Sequence, residues 1–164
     1  GYVKGNLMLG SEEYGWVMSA FGLGATLGAL ACGYMSRKLQ PVSLILTGAI
    51  VLSFSVMPAN NLGFFFFLFF WLLAGAAENF VNIPTETLIA ENIPKHEQGR
   101  VYGAHFAWSH LWWVVSYPLA GWIGINYNSS NFFIGSSISV VLLSIVIISN
   151  LKRFKKRQSA QRNI

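Results

Sequence analysis

The chain has 164 residues, of which 54% are hydrophobic and only 10% are charged, whereas an ordinary soluble domain carries about 25% charged residues. Its 11 Lys and Arg outnumber its 6 Asp and Glu, giving a net charge of +5, which by itself is compatible with nucleic-acid binding. The positions of the charges argue against both a nucleic-acid-binding protein and a soluble domain. With His taken as neutral, the ranges 14–36, 39–77 and 101–151 contain no charged residue, and a helix needs about 20 apolar residues to cross a bilayer.

The uncharged ranges predict five membrane spans. Polar clusters at 58–61 and 126–131 interrupt the two longest ranges, so each of those holds two helices. The predicted spans are, in chain order, about 15–36, 41–59, 62–84, 102–125 and 132–150. The third helix is expected to continue past the bilayer to Asn92, because Pro94 supplies a stop. The predicted fold class is therefore all-α, a polytopic membrane helix bundle over 1–151 followed by a basic tail over 152–164.

The basic residues predict the orientation of the spans, because Lys and Arg are retained on the cytoplasmic side. Ten of the eleven lie in alternate connections or in the tail: Arg37, Lys38, Lys95, Arg100 and six residues within 152–162. We therefore expect the amino end outside and the tail in the cytoplasm, where it contacts lipid headgroups rather than nucleic acid. An odd number of spans that begins outside, in a chain that opens with Gly1, predicts a piece of a longer protein.

The first span contains the glycine-rich stretch 22–28, which superficially resembles a dinucleotide-binding turn. Such a turn needs a preceding strand in a water-exposed α/β unit, so we reject that function here. Small residues recur every fourth position at Ala20, Gly24, Gly28 and Cys32, and stripes of this kind let helix backbones approach closely in lipid. Static packing and a sliding contact between helices are both compatible with the stripe.

The third span changes from strongly apolar to polar along its length, and Glu78 is its most informative residue. A carboxylate in the bilayer costs about 2 to 4 kcal/mol, so it normally faces a bundle interior or a wet cavity. One hypothesis makes Glu78 a proton-coupling or substrate-binding acid, with Asn79 and Asn82 beside it on a substrate pathway. The alternative is a structural carboxyl group that is hydrogen-bonded to Asn79 or Asn82. Pro84 either kinks the helix as a gate element or marks a simple helix end.

The fourth span carries a face of polar and aromatic residues, namely His105, Ser109, Trp112, Trp113 and Ser116. These residues favour either the wall of a transport pathway or ordinary contacts between helices. A metal site is a poor interpretation, because His105 and His110 point about 140° apart on a helix and no Cys or Asp lies near them. The sequence predicts no metal, no cofactor and no catalytic nucleophile.

The stretch 82–101, NIPTETLIAENIPKHEQGRV, carries a family resemblance. It resembles the end of helix ten and the following cytoplasmic loop in the major facilitator superfamily, in particular its bacterial drug-efflux and siderophore-exporter-like branch. Pro94, Gly99 and Arg100 match the spacing of that loop. The resemblance implies that Gly99 and Arg100 help to close an inward gate, and that the loop with Arg37 and Lys38 is a second copy of the superfamily's basic loop motif.

The resemblance also implies the place of the chain in a larger protein. The five spans would be helices eight to twelve of twelve, and the partners would be the bilayer, a small-molecule substrate and the missing amino-terminal half. We expect an efflux transporter of the bacterial inner membrane that works by alternating access as a proton-coupled antiporter, with Glu78 as the candidate proton carrier. The alternatives are an integral-membrane enzyme that acts on lipid and a membrane scaffold without transport activity.

Overall fold

The described part of the chain is built from five α-helices and contains no strand. The structure, a computed structural model, describes residues 10–57, 63–127 and 131–162, with side chains up to 148 apart from that of residue 131. The helices are α1 (Ser11–Met35), α2 (Pro41–Val56), α3 (Phe64–Asn92), α4 (Lys95–Asn126) and α5 (Asn131–Arg162). The all-α fold class predicted from the sequence is confirmed.

Each predicted span overlaps one helix, but some boundaries differ. As expected, α3 runs through Pro84 to Asn92. In contrast, α4 begins at Lys95 rather than near 102, so Gly99 and Arg100 lie in its first turns and not in a loop. Pro94 immediately precedes this helix, and its carbonyl accepts the backbone N–H groups of Glu97 and Gln98 at 2.9 and 3.2 Å. The predicted polar break at 58–61 lies outside the described residues, and α5 continues through most of the predicted tail.

Helix α3 lies at the centre of the bundle, with α1 and α2 against different faces of it. Gly24 of α1 meets Leu72, and Gly28 meets Ala76, so positions rise together along α1 and α3 and the two helices are parallel. Gly48 of α2 lies against Ala77 and Phe80 of the same central helix. Because α1 and α3 run in the same direction, the connections that follow them, with their basic residues, lie at the same end of the bundle.

The other end of the bundle is held by aromatic rings. Phe67 of α3 is 2% exposed and packs with the buried Val17 of α1. Its ring stacks on Trp71 at a centroid distance of 5.1 Å, and Phe132 of α5 completes the cluster at 6.0 Å from Phe67 and 5.5 Å from Trp71. These contacts place the beginnings of α1, α3 and α5 side by side.

Two of the helices, α1 and α3, are each long and apolar enough to cross a membrane. Helix α2 and the segment 132–148 are also apolar but shorter. Many large apolar side chains are exposed on the outside of the bundle, among them Leu30, Phe65 and Val141. In a bilayer such surfaces contact lipid chains, so their exposure agrees with an integral membrane protein.

Candidate functional site

The interface of α1 and α3 is a seam of glycines through which the two backbones touch. Gly24 and Gly28 of α1 are buried, and a Cβ atom at either position would collide with a carbonyl group of α3, at Leu72 or at Ala76. Gly75 of α3 is likewise occluded by the carbonyl group of Phe21. The small-residue stripe predicted from the sequence is therefore the contact surface of α1, and its glycines are needed for the distance between the helices.

One side chain ties this seam together with a hydrogen bond. The amide Nδ2 of Asn79 on α3 donates to the carbonyl oxygen of Ala25 on α1 at 2.8 Å. Asn79 was predicted on a substrate pathway beside Glu78, whereas the structure places its amide group between two helices. The hydroxyl group of the neighbouring Thr26 donates to the carbonyl oxygen of Gly22 within α1 at 3.0 Å, so it is not a second donor to the carbonyl oxygen of Ala25.

Glu78 and Asn82 lie on α3 beside the seam, and neither is tied into it. Glu78 is half-buried and makes no hydrogen bond or ion pair with any residue of the described ranges. The structural alternative, a bond from Glu78 to Asn79 or Asn82, is therefore not what the structure shows. Asn82 is exposed, one turn after Glu78, and Thr85 uses its hydroxyl group on the carbonyl oxygen of Val81 at 2.6 Å. The polar stripe thus separates into one engaged amide and two uncommitted polar groups.

The predicted polar face of α4 is largely exposed, since the described part of the chain buries no residue of this helix. His105 and Ser116 are exposed, while Trp112 and Trp113 are 56% and 49% exposed. Ser109 is half-buried and donates to the carbonyl oxygen of Phe106 on its own helix at 2.9 Å. These five residues lie on one accessible helix, and within the described ranges none of them forms a hydrogen bond with Glu78.

An aromatic ladder on α4 was missed by the sequence reasoning. The ring of His110 stacks on Phe106 at 3.8 Å and lies 4.2 Å from Trp113, which in turn stacks on Tyr117 at 5.9 Å. The Nδ1 atom of His110 lies 2.8 Å from the carbonyl oxygen of Phe106. Because a carbonyl oxygen only accepts, Nδ1 carries the hydrogen and Nε2 remains directed away from that bond. The spacing of these residues, at 106, 110, 113 and 117, was the signal that could have revealed the ladder.

The corner between α3 and α4 is held by side chains that the sequence did not single out. The amide of Gln98 donates to the carbonyl oxygens of Ala90 and Ile93 at 2.9 and 3.0 Å, satisfying groups at the end of α3. The hydroxyl group of Tyr102 donates to the carbonyl oxygen of Glu86 at 3.0 Å. The predicted loop residues Pro94, Gly99 and Arg100 are exposed beside this corner.

The other basic connection contains Arg37 and Lys38 in the turn between α1 and α2, and both side chains are exposed. Lys38 directs its Nζ to the hydroxyl oxygen of Tyr34 at 3.4 Å and lies over that ring at 5.3 Å from its centroid. Since the two connections share one end of the bundle, Arg37, Lys38, Lys95 and Arg100 lie at that end together with Glu91 and Glu97, and we call the surface of the four basic residues the basic end face. No three His, Cys, Asp or Glu residues of the described ranges are grouped so as to hold a metal ion.

Comparison with known proteins identifies the family to which this arrangement belongs. A family model described as Major Facilitator Superfamily matches residues 1–163. The chain belongs to this superfamily. Over 161 residues it is 25% identical to a protein of Bacillus subtilis (strain 168) described as a probable galactarate/D-glucarate transporter, GudP. The match covers 94% of the chain but 35% of that relative, so the chain spans about a third of the relative's length. No solved structure matches the chain.

Membership of the Major Facilitator Superfamily agrees with the integral membrane protein predicted from the sequence. It favours the predicted transporter over the alternative of an enzyme acting on lipid.

Proposed function

We propose that the chain is the carboxyl-terminal part, helices eight to twelve, of a secondary active transporter that works by alternating access. The remaining two thirds of a protein the size of the relative would supply the other half. Transporters of this type bind substrate near the bilayer midplane between their two halves. The polar and aromatic residues of α3 and α4 that are not used between helices are then candidates for the substrate pathway: Glu78, Asn82, His105, Ser109, Trp112, Trp113 and Ser116.

The state of Glu78 carries this proposal. An ionisable group within an apolar helix is costly unless it pairs with another group or faces a watery pathway. Within the described ranges Glu78 has no hydrogen-bond or ion-pair partner, whereas the adjacent Asn79 donates a hydrogen bond to α1. A carboxyl group that is kept uncommitted can bind a substrate group or carry a proton, so Glu78 is our candidate for proton coupling.

Transport by the full-length protein in proteoliposomes tests this role. We expect Glu78→Gln to abolish accumulation driven by an imposed pH gradient, while exchange of substrate without a gradient persists. Glu86→Gln is the matched control, because Glu86 lies on the same helix and is exposed at its far end. Unchanged gradient-driven accumulation in Glu78→Gln would remove Glu78 from coupling, and loss in both variants would point to a general effect of charge.

Two substrate classes are to be compared, because the resemblance and the relative point in different directions. The resemblance favours efflux of an organic molecule by an antiporter, which suits the aromatic face of α4. The relative's name instead favours a sugar acid such as galactarate or D-glucarate. Galactarate and D-glucarate are polyhydroxylated dianions, and the hydroxyl, imidazole and amide groups of the candidate pathway can hydrogen-bond to them.

A direct assay separates these substrates and the direction of transport. Radiolabelled D-glucarate and a fluorescent organic cation are offered to vesicles of both orientations that contain the full-length protein. Accumulation of D-glucarate alone favours the sugar-acid substrate, and extrusion of the cation alone favours the efflux transporter. If neither solute moves, and no other solute of a broad panel does, the third hypothesis of a scaffold without transport activity is favoured.

For orientation we propose the amino end outside and the carboxyl end in the cytoplasm of a bacterial inner membrane. The support is the basic end face of Arg37, Lys38, Lys95 and Arg100 together with the positive-inside rule. Single-cysteine variants Lys38→Cys and Gly63→Cys in intact cells provide the test. We expect an impermeant maleimide to label the Gly63 variant only, and labelling of the Lys38 variant alone would reverse the topology.

The end of the bundle that carries the basic end face is also our candidate for the cytoplasmic gate. The gate residues would be Pro94, Gly99, Arg100, Arg37 and Lys38. The two connections at this end emerge from the parallel helices α1 and α3, so any tilt of that pair displaces them together. Arg100→Ala is expected to lower the rate of transport without changing which substrate is bound. A change of substrate preference in this variant would argue for a binding role instead.

A further inference from the structure

The surroundings of the hydrogen bond from Asn79 to Ala25 indicate a role beyond packing. Interfaces between membrane helices hold together by close backbone contact and by hydrogen bonds from polar side chains. Here the 2.8 Å bond from Asn79 lies beside the glycine seam formed by Gly24, Gly28 and Gly75. The glycines contribute no side chain that could interlock across the seam, and the side-chain contacts of Val17 with Phe67 and of Phe21 with Trp71 lie toward the beginnings of the two helices. A directional bond adds a restraint beyond those contacts, because its geometry is lost when the helices shift by a small distance.

Residues adjacent on a helix are about 100° apart, so the bond at Asn79 also fixes where its neighbour points. With the amide of Asn79 directed to α1, Glu78 is held on the adjoining face of α3, away from the seam. Asn82, one turn later, shares that face and is exposed. A rotation of α3 that released Asn79 would carry Glu78 with it.

We propose that Asn79 is a positioning residue that holds α1 and α3 as one rigid pair throughout the transport cycle and thereby keeps Glu78 on the pathway face. This inference rests on the proposed transport function. It replaces the sliding contact that the small-residue stripe also allowed. Movement during transport then occurs between this pair and other elements, and the seam itself stays closed.

The first test compares variants of two asparagines on α3 in the full-length transporter. Asn79→Ala removes the bond, Asn79→Asp removes the donor, and Asn82→Ala is the matched control, because Asn82 makes no hydrogen bond within the described ranges. For both Asn79 variants we expect a maximal transport rate lower by about three-fold or more, the effect of one bond between membrane helices. The KM should stay near that of the parent, and the thermal midpoint should fall. The Asn82 variant should keep its thermal midpoint.

The second test ties the two helices together covalently. Val17 and Phe67 pack against each other near the far end of the seam, so a Val17→Cys/Phe67→Cys pair is joined by oxidation or by a short bis-methanethiosulfonate reagent, which forms a disulfide bond with each thiol. Cys32→Ala provides the background, since Cys32 is the chain's own cysteine. A closed seam predicts that the tied transporter remains active. It also predicts that the tie restores part of the rate lost in Asn79→Ala, which a substrate-binding asparagine would not show.

Several results would overturn the proposal. A raised KM with an unchanged thermal midpoint in Asn79→Ala would make Asn79 a substrate ligand, and a lower midpoint with an unchanged rate would make it merely structural. Loss of transport on tying, reversed by reductant, would show that the seam opens. If the parent protein transports no solute, the proposed function fails, whereas the midpoints of the Asn79 and Asn82 variants still decide whether the bond exists.

Discussion

The α1–α3 seam and helix α4 show two opposite ways in which helices of one membrane protein are placed. In the seam, three glycines allow the backbones of α1 and α3 to touch, and Asn79 donates a hydrogen bond across the interface. Along α4, the described residues provide fixed contacts at the corner with α3, while the aromatic residues beyond it are exposed. Polar residues on the two helices are therefore placed differently: Asn79 is engaged between helices in the seam, whereas the polar face of α4 is largely exposed.

The largest expected effect comes from filling the seam. Gly28→Leu places a side chain where Ala76 of α3 lies within 2.5 Å of the added Cβ atom, and overpacking of this kind costs about 1 to 3 kcal/mol or more. We expect little folded protein, as measured by size-exclusion chromatography of a fluorescent fusion. Gly22→Leu is the matched control, because no described atom lies within 4 Å of a Cβ atom at Gly22. Equal yields from the two variants would mean that the seam is not closely packed.

A smaller effect, on transport rather than folding, is expected on α4. Trp113→Ala removes a half-exposed ring that stacks with Tyr117. If the face binds substrate, the KM should rise several-fold while the yield of folded protein and the thermal midpoint stay close to the parent's. Val114→Ala is the control, because Val114 is 70% exposed and takes no part in the ring contacts of α4. A loss of folding in Trp113→Ala would show that α4 is packed as tightly as the seam and would remove the contrast.

The corner that joins α3 to α4 should respond more weakly. Gln98→Ala removes two bonds to the carbonyl oxygens of α3, each worth about 0.5 to 1.5 kcal/mol in net stability. Both bonds lie at an exposed or half-exposed end, so we expect the lower part of that range. Faster amide hydrogen exchange should be confined to 88–102, with the seam unaffected. Faster exchange in α1 as well would show that the corner and the seam are coupled.

The smallest effect is expected at the contact of α2 with α5. The buried hydroxyl group of Ser136 donates to the carbonyl oxygen of Ser53, and such bonds between membrane helices are worth about 0.6 kcal/mol on average. Ser136→Ala should lower the thermal midpoint slightly. Ser137→Ala serves as the control, since Ser137 bonds within its own helix to Phe133. A larger drop in the control would place the important contact elsewhere on α5.

The sequence alone determined the helical class, the five helices of the described ranges and the existence of the small-residue stripe. Charge-free ranges of membrane length leave few alternatives to a helix, because backbone groups in lipid must bond within their own segment. The stripe was visible because small residues repeat every four positions. The helix that packs against the stripe, α3, was not visible, since the same spacing fits any neighbour. The start of α4 was misplaced because the hydrogen bonds of Gln98 and Tyr102 are not local features of the sequence.

Only the tertiary structure decided which polar residues of α3 are used in packing. Glu78, Asn79 and Asn82 form one polar stripe in the sequence, and periodicity gives their angles around α3 without showing which angle meets a neighbouring helix. The roles separated once α1 was in place, because Asn79 alone meets a backbone carbonyl across the glycine seam. Whether a polar group in an apolar helix is structural or available is decided by its neighbours on other helices, and those contacts depend on the packing of the whole bundle.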